Sequence, residues 1–341
     1  MNGFNKTGRT EKRVAEYLKE VDADVGVGFK NLVSGEEFYV KGEKRFLTAS
    51  VFKVYLLADF YRRVKEGGLN PDAAYKLKDS DRSPGSGVLQ YLQSGVELRL
   101  RDLAKLMMII SDNTATDMLM RILGKRSVAD TVNWLGLKNT KVSKTTKEHL
   151  CDMYDFKDKE AWARFLGLSG PSLNFDGVRL KEEFCRNVHK IAGVQPISSY
   201  PLFEKLGIDK ASKAFTDLED NDVTSPRDLV TVFEAFYRGK LFGRGAGEAM
   251  DIMAACETGA ARIKSALPPN AVFAHKTGTV PGVVNDAGIV MVADKKYILA
   301  VLVNGLKFGS RANYVVKGEK IISRISKIVY SEVVRKDEPH R

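Results

Sequence analysis

Three short stretches of this chain have the residue types and spacing for nucleophilic chemistry at a carbonyl. The first, Ser50-Val51-Phe52-Lys53, is its one S-x-x-K. On a helix, side chains three positions apart lie on one face within mutual reach. A serine hydroxyl is a weak nucleophile until a base takes its proton, and a lysine amine can be that base when burial and nearby cations lower its pKa. A serine at a helix start also gains from the positive end of the helix dipole, and its backbone N–H can bind an oxyanion. The same residues fit a plain alternative, a serine cap followed by a lysine reaching for solvent.

The second stretch, Ser111-Asp112-Asn113, occurs once, between two helical patterns. A second hydroxyl there can pass a proton to a leaving group, and the Asn113 amide can hold a substrate carbonyl or Lys53. The surrounding "SDNTATDM" also suits a helix start with no chemistry. The third, Lys276-Thr277-Gly278-Thr279, lies in a strand-like run. Lys276 brings positive charge, the threonine hydroxyls can bind a carboxylate, Gly278 allows close backbone approach, and backbone N–H groups can complete an oxyanion hole. A second K-T-G, Lys6-Thr7-Gly8, stands at the wrong end and shows how little one tripeptide proves.

These residues need elements to hold them. Ser50 opens "ASVFKVYLLADFYRRV", whose apolar residues go nearly all round, as in a helix buried at a domain centre. Upstream, an amphipathic helix is expected over 10–21, followed by a hairpin in "VGVGFKNLVSGEEFYV" turning at Ser34-Gly35. Helical patterns fill 100–110, 114–123, 127–135, a stretch opened by Ser225-Pro226, and 246–256. From 271 the pattern turns to strands, "AVFAHKTGTV", "DAGIVMVA" and "KYILAVLVNG", before a last helix over 315–334. Strands from both ends with helices between predict an α/β (α+β) fold: an antiparallel sheet built from both termini, flanked by helices, with an all-helical domain inserted. The expected division is 1–65 with 220–341 as the sheet domain and 66–219 as the helical one.

Composition narrows the function. The 341 residues carry 54 Lys+Arg against 43 Asp+Glu, a net +11, scattered singly and in pairs such as Arg62-Arg63. With no basic block and no nucleic-acid signature, the charge implies solubility and mild attraction to anionic ligands, not a nucleic-acid partner. Cys151, Cys185 and Cys256 are too few and too far apart for a disulfide framework or a zinc site. His149, His189, His275 and His340 have no metal-like spacing, and no P-loop, G-x-G-x-x-G or G-x-S-x-G occurs, so neither metal nor cofactor is expected. His275 reads as a packed strand residue. "YILAVLV" is too short to span a membrane. The start shows no export signal, which leaves the compartment open: periplasmic or secreted if a leader has been trimmed, cytoplasmic otherwise.

S-x-x-K, S-D-N and K-T-G in this order, on a helix start, an interhelical loop and a strand, are the signature of class A β-lactamases and penicillin-binding proteins. The chain resembles that family over 25–150 and 220–334, including "GSGVLQ" before S-D-N and "TSPRDLV" after the central segment. The resemblance implies that Ser50 is the acylated nucleophile, Lys53 its proton acceptor and Ser111 the relay to the departing lactam nitrogen. Lys276 would give electrostatic support, Asn113 and Gly278 would line the substrate site, and Thr277 and Thr279 would bind the carboxylate. The backbone N–H groups of Ser50 and Thr279 would form the oxyanion hole. The implied partner is a small molecule, a β-lactam or a D-Ala-D-Ala-like peptide, met by a monomer.

The chain departs from the family in three places. The deacylating glutamate of class A enzymes sits in E-x-x-L-N after S-D-N, whereas here the region reads "GLKNTKVSKTTKEHLCDMYDF" and the expected position falls near Thr146. Glu148 is close but better suits a surface carboxylate beside Lys147, and Glu219 in "DLEDND" is a more remote candidate. The arginine expected on the strand after K-T-G is absent from "NDAGIV". Residues 155–216 form an insertion with apolar anchors at Trp162, Phe165, Phe175 and Phe184, either a cap on the cleft or a lateral decoration. Three functions compete: a β-lactamase, a D-Ala-D-Ala peptidase or small-ester hydrolase with the same acylation machinery, and a non-catalytic binding protein on this fold.

Overall fold

The computed structural model describes residues 6–153, 217–239, 242–307 and 311–334. The expected insertion over 155–216 and its four aromatic anchors lie outside them. Helix α1 (Lys6–Leu18) leads into β1 (Asp24–Asn31) and β2 (Glu37–Val40), the expected hairpin. Next come β3 (Phe46–Leu47), a 3-10 turn over Ala49–Phe52, and α2 (Lys53–Lys65). The central stretch holds the small β4 (Ala74–Lys76) and β5 (Glu97–Arg99), then α3 (Leu100–Ile109), α4 (Asn113–Leu123), α5 (Lys125–Trp134) and α6 (Thr146–Met153). After β6 (Val223–Thr224) come α7 (Pro226–Arg238), α8 (Gly245–Ala254), the strands β7 (Val272–Val280), β8 (Val283–Val292) and β9 (Lys295–Asn304), and finally α9 (Arg311–Val334).

Five strands form one antiparallel sheet in the order β2-β1-β9-β8-β7, so the two ends of the chain meet where β1 pairs β9. Both faces of the centre are covered, which is why "YILAVLV" reads as a continuous apolar run instead of alternating. On one face Leu299, Val301 and Phe29 pack with Val14 of α1 and Ile322, Ile325 and Val329 of α9. On the other Ile298, Ala300 and Leu302 pack with Val230 and Phe233 of α7 and the α2 core. The alternate glycines of β1 belong here: a Cβ on Gly28 would sit 2.8 Å from Pro226 O, so the start of α7 rests directly on the strand. That start is the expected one, with Ser225 Oγ accepting from Asp228 N at 3.2 Å and Pro226 in the first turn.

Helix α2 has every residue from Lys53 to Tyr61 buried, as its all-round apolar pattern requires. One expectation needs correcting in detail. Ser50 does not cap an α-helix; it lies in the 3-10 turn that precedes α2, entered through Ala49 at φ 44°. A tight turn of this kind is a common way for the backbone to enter a helix.

Candidate active site

The Ser50 turn is held from three sides. Thr48 N donates to Asp222 O at 3.0 Å beside the β3–β6 pairing. Asn285 of β8 donates its amide to Leu47 O and Thr48 O at 2.9 and 3.0 Å. From β7, Gly278 comes so close that a Cβ there would lie 2.5 Å from Thr48 O and 3.1 Å from Ser50 N. Only a residue without a side chain lets the K-T-G strand press against the turn.

Lys53 is fully buried and donates to Ser111 O at 2.7 Å and to Asn113 Oδ1 at 3.0 Å, with its Nζ 3.0 Å from Ser111 Oγ. No carboxylate is among its hydrogen-bond partners. Burial, and then the charge of Lys276, holds its pKa well below the usual lysine range, against the opposing pull of Asp112 and Asp117. Ser50 Oγ is not among the hydrogen-bond partners of Lys53.

Ser111 stands in the left-handed region at φ 57°, a strained place for a serine. Its neighbour holds it there: Asp112 caps α4 by accepting from Ala115 N, and its other oxygen accepts from Val88 N and Leu89 N at 2.7 and 2.9 Å. Asn113 spends its donor end on Pro84 O at 2.9 Å. From β7, Lys276 is equally buried and donates to Ser111 Oγ at 3.0 Å and to Thr277 O at 2.9 Å. Burial, helped by Arg262, pushes its pKa down to about 8 against Cys256 and Asp286. Thr277 Oγ1 lies 2.6 Å from Thr258 Oγ1.

The structure thus brings Ser50, Lys53, Ser111, Asn113, Lys276 and Gly278 into one group, with Thr277 and Thr279 at its edge. Arg262, which sequence reasoning missed, completes that edge. It is 5% exposed, donates to Thr279 Oγ1 at 2.6 Å and to Asn285 O at 2.8 Å, and reaches Glu319 at 3.4 Å. The strand after K-T-G has no arginine in "NDAGIV"; Arg262 comes from the segment before K-T-G, where a lone Arg in "GAARIKSA" carries no signal.

Glu148 is turned away. Its carboxylate accepts from Lys125 Nζ at 2.6 Å and from Thr145 N at 2.7 Å, the surface reading of the two. At the expected position Thr146 bonds Ser83 Oγ at 2.8 Å and gives its N–H to Asp117. Glu219 is exposed, its own N–H on Asp217. Among the described residues no group of His, Cys, Asp and Glu could hold a metal ion, and no helix is long and apolar enough to cross a membrane.

Residues 9–333 match the sequence pattern of the beta-lactamase enzyme family. The chain is 30% identical over 122 residues to Beta-lactamase SME-1 of Serratia marcescens, a stretch covering 35% of this chain and 41% of that enzyme. Its fold is similar to a beta-lactamase from Sphaerobacter thermophilus, with a TM-score of 0.70 at 22% identity over 97% of this chain and 99% of that one. It is also similar to a variant of PBP-A solved as an acyl-enzyme complex with penicillin G, with a TM-score of 0.66 at 23% identity over 96% and 95% of the two chains.

Proposed function

The chain belongs to the beta-lactamase enzyme family, and from that premise we propose that it is a serine hydrolase that opens a β-lactam ring through an acyl-serine intermediate. The observation that carries this reading is the single oxygen, Ser111 Oγ, 3.0 Å from both Lys53 Nζ and Lys276 Nζ. Two buried amines around one hydroxyl, beside a serine on a constrained turn, suit proton transfer and little else.

Lys53, neutral because it is buried beside a cation, takes the proton of Ser50 Oγ as that oxygen attacks the lactam carbonyl. The N–H groups of Ser50 and Thr279 receive the oxyanion. As the C–N bond breaks, Ser111 gives its proton to the lactam nitrogen and is resupplied from Lys53. Lys276, Thr277, Thr279 and Arg262 hold the substrate carboxylate. Water then hydrolyses the ester. The protein acts as a monomer, and the site lies where the sheet domain meets the described part, 66–153, of the helical one.

A second reading, a penicillin-binding or D-Ala-D-Ala peptidase-like enzyme with slow deacylation, is favoured by one observation: Glu148 is committed to Lys125 and Thr145. Intact mass followed over time after adding benzylpenicillin tests both, with Ser50→Ala as control. An adduct that forms and clears as drug is hydrolysed is the expected result. A persistent adduct selects the second reading, and no adduct on Ser50 overturns both.

A further inference from the structure

Beside the K-T-G strand lies a set of polar groups that the acylation chemistry does not use. Cys256, just after α8, is 3% exposed, with Sγ 3.2 Å from Thr258 Oγ1. That hydroxyl is the one 2.6 Å from Thr277 Oγ1, so Cys256 stands one residue behind the carboxylate-binding edge. His275, 1% exposed, sets Nδ1 2.8 Å from Asp286 Oδ1, and Asp286 Oδ2 also accepts from Ile263 N at 3.2 Å. The other ring nitrogen, Nε2, is buried with no conventional hydrogen bond. Phe273 stacks on the imidazole at 4.0 Å. Cys256, linked through Thr258 to Thr277 two residues along β7, is the other polar side chain that interacts with it besides Asp286. A buried ring nitrogen without a partner is costly, and a thiolate beside an imidazolium relieves that cost.

The charges are consistent with such a pair. Burial alone would push the Cys256 thiol up, but His275 and Lys276 bring it down to about 6. Burial would lower His275, but Asp286 and Cys256 raise it to about 9. Asp286 and the His275 imidazolium nearly cancel each other, so the thiolate leaves the trio with one net negative charge. Next in sequence is Lys276, whose two hydrogen-bond acceptors, Ser111 Oγ and Thr277 O, are neutral. The other charged groups facing it are Lys53 from α2 and Arg262 from the segment before β7, both basic. Cys256 and Asp286 are its negative neighbours.

We propose that Cys256, His275 and Asp286 act as one positioning unit, in which a Cys256 thiolate paired with the His275 imidazolium supplies the countercharge that keeps Lys276 cationic for carboxylate binding. This rests on the acyl-serine reading, since it assigns the unit to the carboxylate end of that site. Removing the thiolate while keeping its shape lets Lys276 lose its proton at lower pH. A shift of one unit corresponds to about a tenfold change in the charged fraction on the alkaline side.

The test compares wild type, Cys256→Ser and Cys256→Asp in acylation by benzylpenicillin, an anion, and by a neutral phenyl ester, across pH. In Cys256→Ser the alkaline limb for the penicillin moves to lower pH and its rate above about 8 falls about tenfold, with the ester far less affected. Cys256→Asp restores the limb. Independently of activity, the thiolate ultraviolet absorbance of wild type minus that of Cys256→Ser titrates near 6. A wild type that acylates while Cys256→Ser shares its alkaline limb, or a difference absorbance that titrates near the ordinary thiol value of 9, overturns the unit alone. A wild type that takes no acyl group at any pH overturns the acyl-serine reading and the role given to the unit with it.

Discussion

Lys53 and Lys276 come from different elements, one from α2 and one from β7, and meet at one oxygen, Ser111 Oγ, 3.0 Å from each. Two ammonium groups so close in a buried site repel, and that repulsion favours loss of a proton from one of them. Both amines are fully buried and both are shifted down, Lys276 to about 8 and Lys53 well below the usual lysine range. In the proposed mechanism Lys53 is the base and Lys276 the cation.

Ser111→Ala removes the shared oxygen. Acylation by a β-lactam, whose leaving nitrogen needs a proton, is expected to slow by about 10²-fold or more. Acylation by a p-nitrophenyl ester, whose leaving group departs as an anion, falls much less. Stopped-flow rates on the two substrates check this, and equal losses on both would remove the relay role.

Lys53→Ala is expected to slow acylation of Ser50 by roughly 10²–10⁴-fold. In wild type the rate falls as pH drops, because the working form of Lys53 is the neutral amine. Since the Lys53 pKa is held well below the usual 10.5, the plateau is reached far below that value. The pH profile of single-turnover acylation shows where the limb lies.

Much of this site was legible because its parts are local. Ser50 and Lys53 stand three positions apart across the turn that opens α2, and Lys276 to Thr279 share a strand, so type and spacing carry their meaning. The sheet was legible for the same reason: the apolar runs of β7, β8 and β9 bound themselves. What escaped is what only tertiary packing supplies. Arg262 enters from a loop, and the pairing of His275 with Asp286 depends on two strands lying side by side. The identity of Glu148 suggested a role that its direction denies, and no sequence pattern states which way a side chain at the start of α6 turns.

Gly278→Ala puts a methyl group 2.5 Å from Thr48 O and 3.0 Å from the Ala49 Cβ. Backbone cannot yield as a flexible side chain does, so the turn moves. The expected cost is about 1–3 kcal/mol of stability, with acylation slowed by about 10²-fold as Ser50 leaves its geometry. Urea unfolding together with acylation rates checks both, and an unchanged rate would mean that turn and strand are not coupled.

Glu148→Gln is expected to leave the deacylation rate unchanged, because the carboxylate serves Lys125 and Thr145. A half-exposed pair of this kind contributes about 0–1 kcal/mol. The clearance time of the penicillin adduct is the measurement; a variant that keeps its adduct much longer would restore Glu148 as the water-activating base.

Asp286→Ala removes the partner of a buried imidazolium, which is expected to cost about 3–5 kcal/mol. The loss depends on pH with a definite sign. Burial would lower the His275 pKa, but Asp286 and Cys256 raise it from 6.5 to about 9. A raised folded-state pKa means that the stabilisation is complete below 6.5 and is lost as pH rises through about 9. The gap in urea midpoint between wild type and variant should therefore be widest below 6.5 and shrink above 9. A gap that stays constant across this window would mean that His275 is neutral in the folded protein, and that Asp286 acts there only as an acceptor for the ring and for Ile263 N.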